Sequence, residues 1–234
     1  MKKSSTYIVL VSSLIAFAFA AASNVNSYNG YAYEKGKKIY TESFTEKFVD
    51  GKQTETVTLY YSNDKKLIAK RTLDYTRSLF TPDFITEDLR TGFMEGAEMK
   101  GKKVRLFFRK DKDSKLEEKT LEIPQPMIVD GGFNQYIKSN WDKLKDGKML
   151  TFYFTVSNKL DYFKLRASKV RLTDKEMSVR IEPDRSVIRW ISSPIVVKYD
   201  VETRRIVSYE GKSNIQDENG SNPVIRLEYP KKGP

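Results

Sequence analysis

The sequence predicts a mainly β fold: a single curved antiparallel sheet or half-barrel, with one main amphipathic helix at about 130–146 covering the concave face. Three observations carry this reading. Short segments that alternate between apolar and polar residues follow one another, separated by turn signals and without the spacing of β-α-β units, so neighbours pair antiparallel. Tyrosine and phenylalanine are abundant, 14 and 13, and flat rings pack well on a pleated surface. One stretch alone has helical periodicity: Phe133, Tyr136, Ile137, Trp141 and Leu144 recur at steps of three and four.

Taken in order, residues 1–22 read as a secretory signal peptide. Met1-Lys2-Lys3 is a positive n-region, Tyr7 to Ala22 a small apolar h-region, and Ala18-Phe19-Ala20 and Ala20-Ala21-Ala22 both fit an A-x-A cleavage site. The apolar run is too short for a membrane span. Residues 23–37, with Asn24, Asn26, Ser27, Asn29 and Gly30, read as a polar lead-in, and residues 38–230 as a single antiparallel β domain. Ile39 to Val49 is its first strand, Asp50-Gly51 a hairpin turn, and Thr54 to Tyr61 the return. After Ser62-Asn63-Asp64 the next strand carries Leu67, Ala69, Arg71 and Leu73 on one face. Phe84 to Glu98 reads as one longer strand broken near Gly92 and Gly96, and Val104 to Phe108 and Lys115 to Ile123 as a further hairpin. Pro124-Gln125-Pro126 ends the meander.

The helix follows, with Asp130 as its expected N-cap, Lys143 and Lys145 at the negative end of its dipole, and Gly147 as its stop. Leu150 to Val156, Phe163 to Ala167, Ser178 to Ile181, Ile195 to Tyr199, Arg205 to Tyr209 and Val224 to Tyr229 complete the strands. The tetrapeptide Lys-Gly-Lys-Lys occurs at 35–38 and at 100–103. The strands that follow share no face pattern, so it is read as coincidence.

Composition excludes several chemistries. The chain has no cysteine and no histidine. It therefore has no disulfide, no Cys nucleophile, no Ser-His-Asp triad and no Cys- or His-ligated zinc. The formal net charge is +11, of which Lys2 and Lys3 leave +9 after cleavage. Such a surface steers towards anions: phospholipid headgroups, lipopolysaccharide phosphates and acidic polymers.

Catalytic and phosphate motifs fail on their local setting. Ser62-Asn63-Asp64-Lys65 matches S-x-x-K but falls in a hairpin turn, where Ser and Lys do not share a helix face. Gly211-Lys212-Ser213 lacks the earlier glycine of a phosphate loop, because Ile206 stands there. Asp111-Lys112-Asp113-Ser114 lacks the glycine of a calcium loop. Asn219-Gly220-Ser221 is a sequon that a hairpin tip explains. No acid is isolated among apolar residues in the way a raised pKa requires. Asp130-Gly131-Gly132-Phe133 with Trp141-Asp142 is the most distinctive segment. Its paired glycines either admit an anion or form a tight strand-to-helix turn with Trp141 in the core.

The Asp130-to-Trp141 segment and the C-terminal hairpin from Tyr199-Asp200 to Tyr209-Glu210-Gly211 resemble bacterial envelope β-proteins. More distantly, the chain is similar to the lipoprotein-carrier (LolA-like) half-barrel. That resemblance implies acyl-chain binding inside the curve and transfers no functional residue. It departs in having one clear helix where carriers have more.

The expected function is a non-enzymatic, exported binding protein, periplasmic or secreted, for an apolar or amphipathic ligand such as a lipid or lipidated partner. The ligand-lining candidates are Phe133, Ile137, Trp141, Phe152, Phe154, Phe163 and Leu165. The alternative is a structural or interaction module with a solid β core, binding through exposed Tyr and Lys/Arg strand faces. No cofactor, metal or nucleic acid is expected. The expected partner is a lipid or an anionic envelope component, with no transmembrane span.

Overall fold

A computed structural model describes residues 22–184 and 194–230; the expected signal peptide lies outside these but for Ala22. Among the described residues the fold is mainly β, one large open curved sheet with two short α-helices. Ser23–Glu34 (β1), Lys37–Val49 (β2), Lys52–Ser62 (β3), Leu67–Asp74 (β4), Asp83–Asp88 (β5), Met94–Lys100 (β6), Lys103–Arg109 (β7) and Glu117–Glu122 (β8) form an antiparallel meander. Met127–Ile128 (β9), Leu150–Val156 (β10), Asp161–Leu172 (β11), Glu176–Pro183 (β12), Ile195–Asp200 (β13), Ile206–Lys212 (β14) and Val224–Glu228 (β15) form a second run. The first and last strands join the two, pairing from Tyr31↔Glu228 to Tyr33↔Arg226. Every neighbouring pair is antiparallel except β9 with β10, and β8 and β9 are the edges.

Four expectations about the elements are corrected. Residues 23–34, expected to belong to a loose lead-in, are the twelve-residue β1, paired with β2 from Ser23↔Val49 to Glu34↔Lys37. Its Asn and Ser residues have little strand propensity of their own; the backbone ladder to β2 and the stacking of Tyr28 on Phe44 at 4.9 Å supply the order. The single strand expected over 84–98 is two, β5 and β6, with Gly92 at φ +76° in the turn between them. Gly96 lies inside β6, where a Cβ would collide with the Phe107 ring and the Phe84 carbonyl.

The helix expected at 130–146 is also two pieces, Gly132–Ser139 (α1) and Trp141–Lys145 (α2), interrupted at Asn140 (φ −111°, ψ 23°). Asp130 is not its N-cap. Gly131 holds that position without a side-chain cap. Asp130 sits at φ 45°, accepts the Gly131 N–H and ion-pairs with Arg71. A buried guanidinium is a stronger partner for a carboxylate than a helix amide. Gly147 does end the helix as expected, at φ +82°.

The turns show why the repeated tetrapeptide is coincidence. In β1–β2 the turn is Lys35-Gly36, both at positive φ; in β6–β7 it is Gly101-Lys102, closed by Lys100↔Lys103. The same four residues are used in different registers.

The core has three parts. Ile137, Trp141 and Leu144 from the helices pack on Phe152, Val179 and Val197 of β10, β12 and β13. Tyr40, Tyr60, Ala69, Ile215 and Leu227 form a second cluster around the β1–β15 junction. Leu73, Phe84, Leu106, Met127 and Val129 form a third, against which Tyr153 and Tyr162 pack. Phe152 and Tyr153 are adjacent and so face opposite ways. β10 therefore lies between the helix layer and the first half of the sheet.

Candidate functional site

All seven sequence-predicted lining residues come together, and they meet one another. Ile137, Trp141, Phe152 and Leu165 are buried in one cluster, and Phe133, Phe154 and Phe163 pack against it half-buried. Phe133 and Tyr136 place their ring centroids 5.9 and 5.4 Å from Phe152, and Trp141 meets Tyr199 edge-on at 5.8 Å. These are the separations of packed aromatic cores. The turn into α1 is equally close, because a Cβ on Gly132 would collide with the Phe80 carbonyl. Of the two options for the paired glycines, the structure shows the tight turn, closed against the Phe80 backbone, with Trp141 in the core.

Beside this cluster the inner face carries a polar network. Thr58↔Arg71, Arg71↔Thr86 and Thr86↔Glu95 are direct cross-strand partners, so four inward side chains form one row over β3 to β6. Arg71 is 6 % exposed, pairs with Asp130, and lies 5.2 Å over the Phe84 ring. The ion pair ties the lead-in of α1 to the middle of the sheet, and Gln135 of α1 donates to Gln53 of β3. One row along, Glu42 is 1 % exposed. Burial pushes its carboxyl up to about 7, against the opposing pull of Arg71 and of hydrogen bonds from Tyr229 and Tyr40. Tyr40 also shares a 3.0 Å hydrogen bond with Ser213. Burial likewise raises the Glu95 carboxyl. These two acids correct the expectation that no acid is placed as a raised pKa requires; Glu42 stands between Tyr40 and Phe44 on an alternating strand. Arg71 stands likewise between Ala69 and Leu73.

The network's close charge pair, Arg71–Asp130, fixes the helix. Among the described residues no group of three or more acidic side chains could hold a metal ion. The Ser62 hydroxyl is engaged within its turn, bonded to Asp64 and to the Lys66 carbonyl at 3.1 Å. Asp111 accepts from Asp113 and Ser114 in the same way.

The convex face offers a surface of another kind. Successive register partners Tyr31↔Glu228↔Ser208↔Lys198↔Ser178↔Arg171 form one row across β1, β15, β14, β13, β12 and β11. Ser208 and Ser178 are small and buried, which leaves a dip on either side of Lys198, and the two dips together make a trough that Lys198 interrupts. Two depressions of about 360 and 230 Å³ lie along it, and both are lined by Glu176 and Lys198. Their walls carry Arg171, Lys175, Lys198 and Arg226 against Glu176 and Glu228. Lys198–Glu176 at 3.6 Å and Arg226–Glu228 at 2.7 Å are exposed pairs. Arg171 and Lys175 have no ion-pair partner among the described residues. No helix among these residues is long and apolar enough to cross a membrane. In comparisons with protein-family models, curated proteins and solved structures, nothing matches this chain.

Proposed function

We propose that this protein is an exported, non-catalytic interaction module of the cell envelope, which docks an anionic component through the convex face of its sheet. One observation carries the reading: the residues that would line an acyl pocket are packed against each other and against the helix, while the convex face presents a cation-rich trough. Exposed ion pairs such as Lys198–Glu176 contribute little stability, so those cations are available to a partner. Net charge of this sign raises encounter rates with anionic surfaces and polymers.

Sedimentation with isolated envelope and flotation with vesicles, each at low and high salt, test this. Surface attraction falls as the Debye length shrinks from about 10 Å at 0.1 M to about 3 Å at 1 M. Binding to anionic material should be lost over that range, and charge reversal at Lys198 and Arg171 should abolish it at low salt. Salt-resistant binding to neutral vesicles would overturn the proposal in favour of an acyl ligand, because apolar burial is not screened.

A further inference from the structure

We infer that the partner of the convex trough is an acidic polysaccharide lying across the strands, an inference that rests on the docking role proposed above. Three features select this chemistry. The trough is long: Tyr31 and Arg171 are five strands apart, about 24 Å at the usual inter-strand spacing. That length accommodates several sugar units, not one small anion. Its cations are spread along it, with Lys198 and Arg171 two strands, about 10 Å, apart. They meet charges that recur along a chain.

The third feature is that carboxylates are interleaved with the cations. Glu228 sits between Tyr31 and Ser208 in the row, and Glu176 faces Lys198. A uniformly anionic membrane surface would be repelled by both. A glycan presents hydroxyl groups that donate to these carboxylates, while its uronate or phosphate groups pair with Lys198 and Arg171. Tyr31 at the end of the trough adds a half-exposed ring for the apolar face of a sugar; Lys38 lies 5.0 Å from that ring. Tyr61 extends the same register row through Thr41.

The test is calorimetric binding of purified protein to galacturonic acid, a short oligogalacturonide and polygalacturonate, with dextran as the neutral control and phosphatidylglycerol vesicles as the membrane control. The expected result is affinity that rises with chain length and no binding to dextran. Arg171→Ala and Lys198→Ala together should weaken the polymer about tenfold, the effect of two exposed ionic contacts. Tyr31→Ala should weaken it without changing the salt dependence, and Lys115→Ala with Lys119→Ala, an equal charge removed elsewhere, should leave it unchanged. Equal affinity for monomer and polymer, or vesicles that compete with the polymer through Lys198 and Arg171, would overturn the polysaccharide assignment while leaving the docking face in place. Unchanged binding in the Arg171/Lys198 double variant with an unaltered thermal midpoint would overturn both.

Discussion

Glu42 shows how much one side chain does to this fold. Its carboxyl is raised from 4.5 to about 7 by burial, so the folded state binds a proton that the unfolded chain releases at lower pH. The sign follows from linkage. Stability from this group is fully present below the ordinary carboxylate pKa, falls as pH rises through about 4.5 to about 7, and is flat above. The loss reaches at most about 3 kcal/mol. Urea unfolding at pH 5 and pH 8 should show it, and Glu42→Gln, which still accepts from Tyr229, should remove most of the difference. An unchanged pH slope in that variant would assign the effect to another group. Arg71→Ala leaves the Asp130 carboxylate largely buried without its partner, and is expected to cost about 3–5 kcal/mol. Trp141→Ala empties a site that is 3 % exposed and costs about 3–5 kcal/mol. A mild shift in thermal midpoint would contradict either value.

Among the elements, the helix pair is the one whose position decides what the concave face can do. It is held from three sides: Ile137, Trp141 and Leu144 on the strands below, Asp130 on Arg71, and Gln135 on Gln53. The break at Asn140 does not disturb its face, because the Asn140 amide returns to the Tyr136 carbonyl at 3.0 Å. Its entry depends on Gly132. Gly132→Ala forces a Cβ against the Phe80 carbonyl, a backbone atom that cannot rotate away. The expected destabilisation is about 1–3 kcal/mol, read as a lower midpoint in chemical denaturation. Were Gly132→Ala neutral, the helix would sit more loosely than its contacts imply.

For the molecule as a whole, the pairing of first and last strands dominates. β1 and β15 join the two runs of the sheet, so the hydrogen-bonded sheet is continuous only once nearly the whole chain is present. Such non-local pairing makes folding slow, on the ms–s scale typical of β topologies. A chain ending after Asn222 lacks β15 and leaves facing edges on β1 and β14. It should lose the single cooperative transition seen by circular dichroism; one sharp transition in the truncated chain would show that the halves do not need the junction.

The mainly β class, the helix stop at Gly147 and the apolar stripe of the helix were legible in the sequence, because alternation, turn glycines and three-four spacing are local properties that survive in any tertiary setting. The seven candidate lining residues were legible as a group for the same reason. Whether they line space or fill it was not, since that depends on how closely the helix approaches the sheet. Gly132 and the Arg71–Asp130 pair set that distance, and they meet from positions about sixty residues apart. The role of Asp130 was misread because a helix-capping pattern is local, whereas the guanidinium that claims its carboxylate is not. β1 was misread as a lead-in because the partners that order it are remote in sequence: its ladder with β2, Phe44 under Tyr28 at 4.9 Å, and the second core cluster around Ala32. The convex row from Tyr31 to Arg171 has no trace in sequence order at all: register across six strands creates it, and register is fixed only when the sheet assembles.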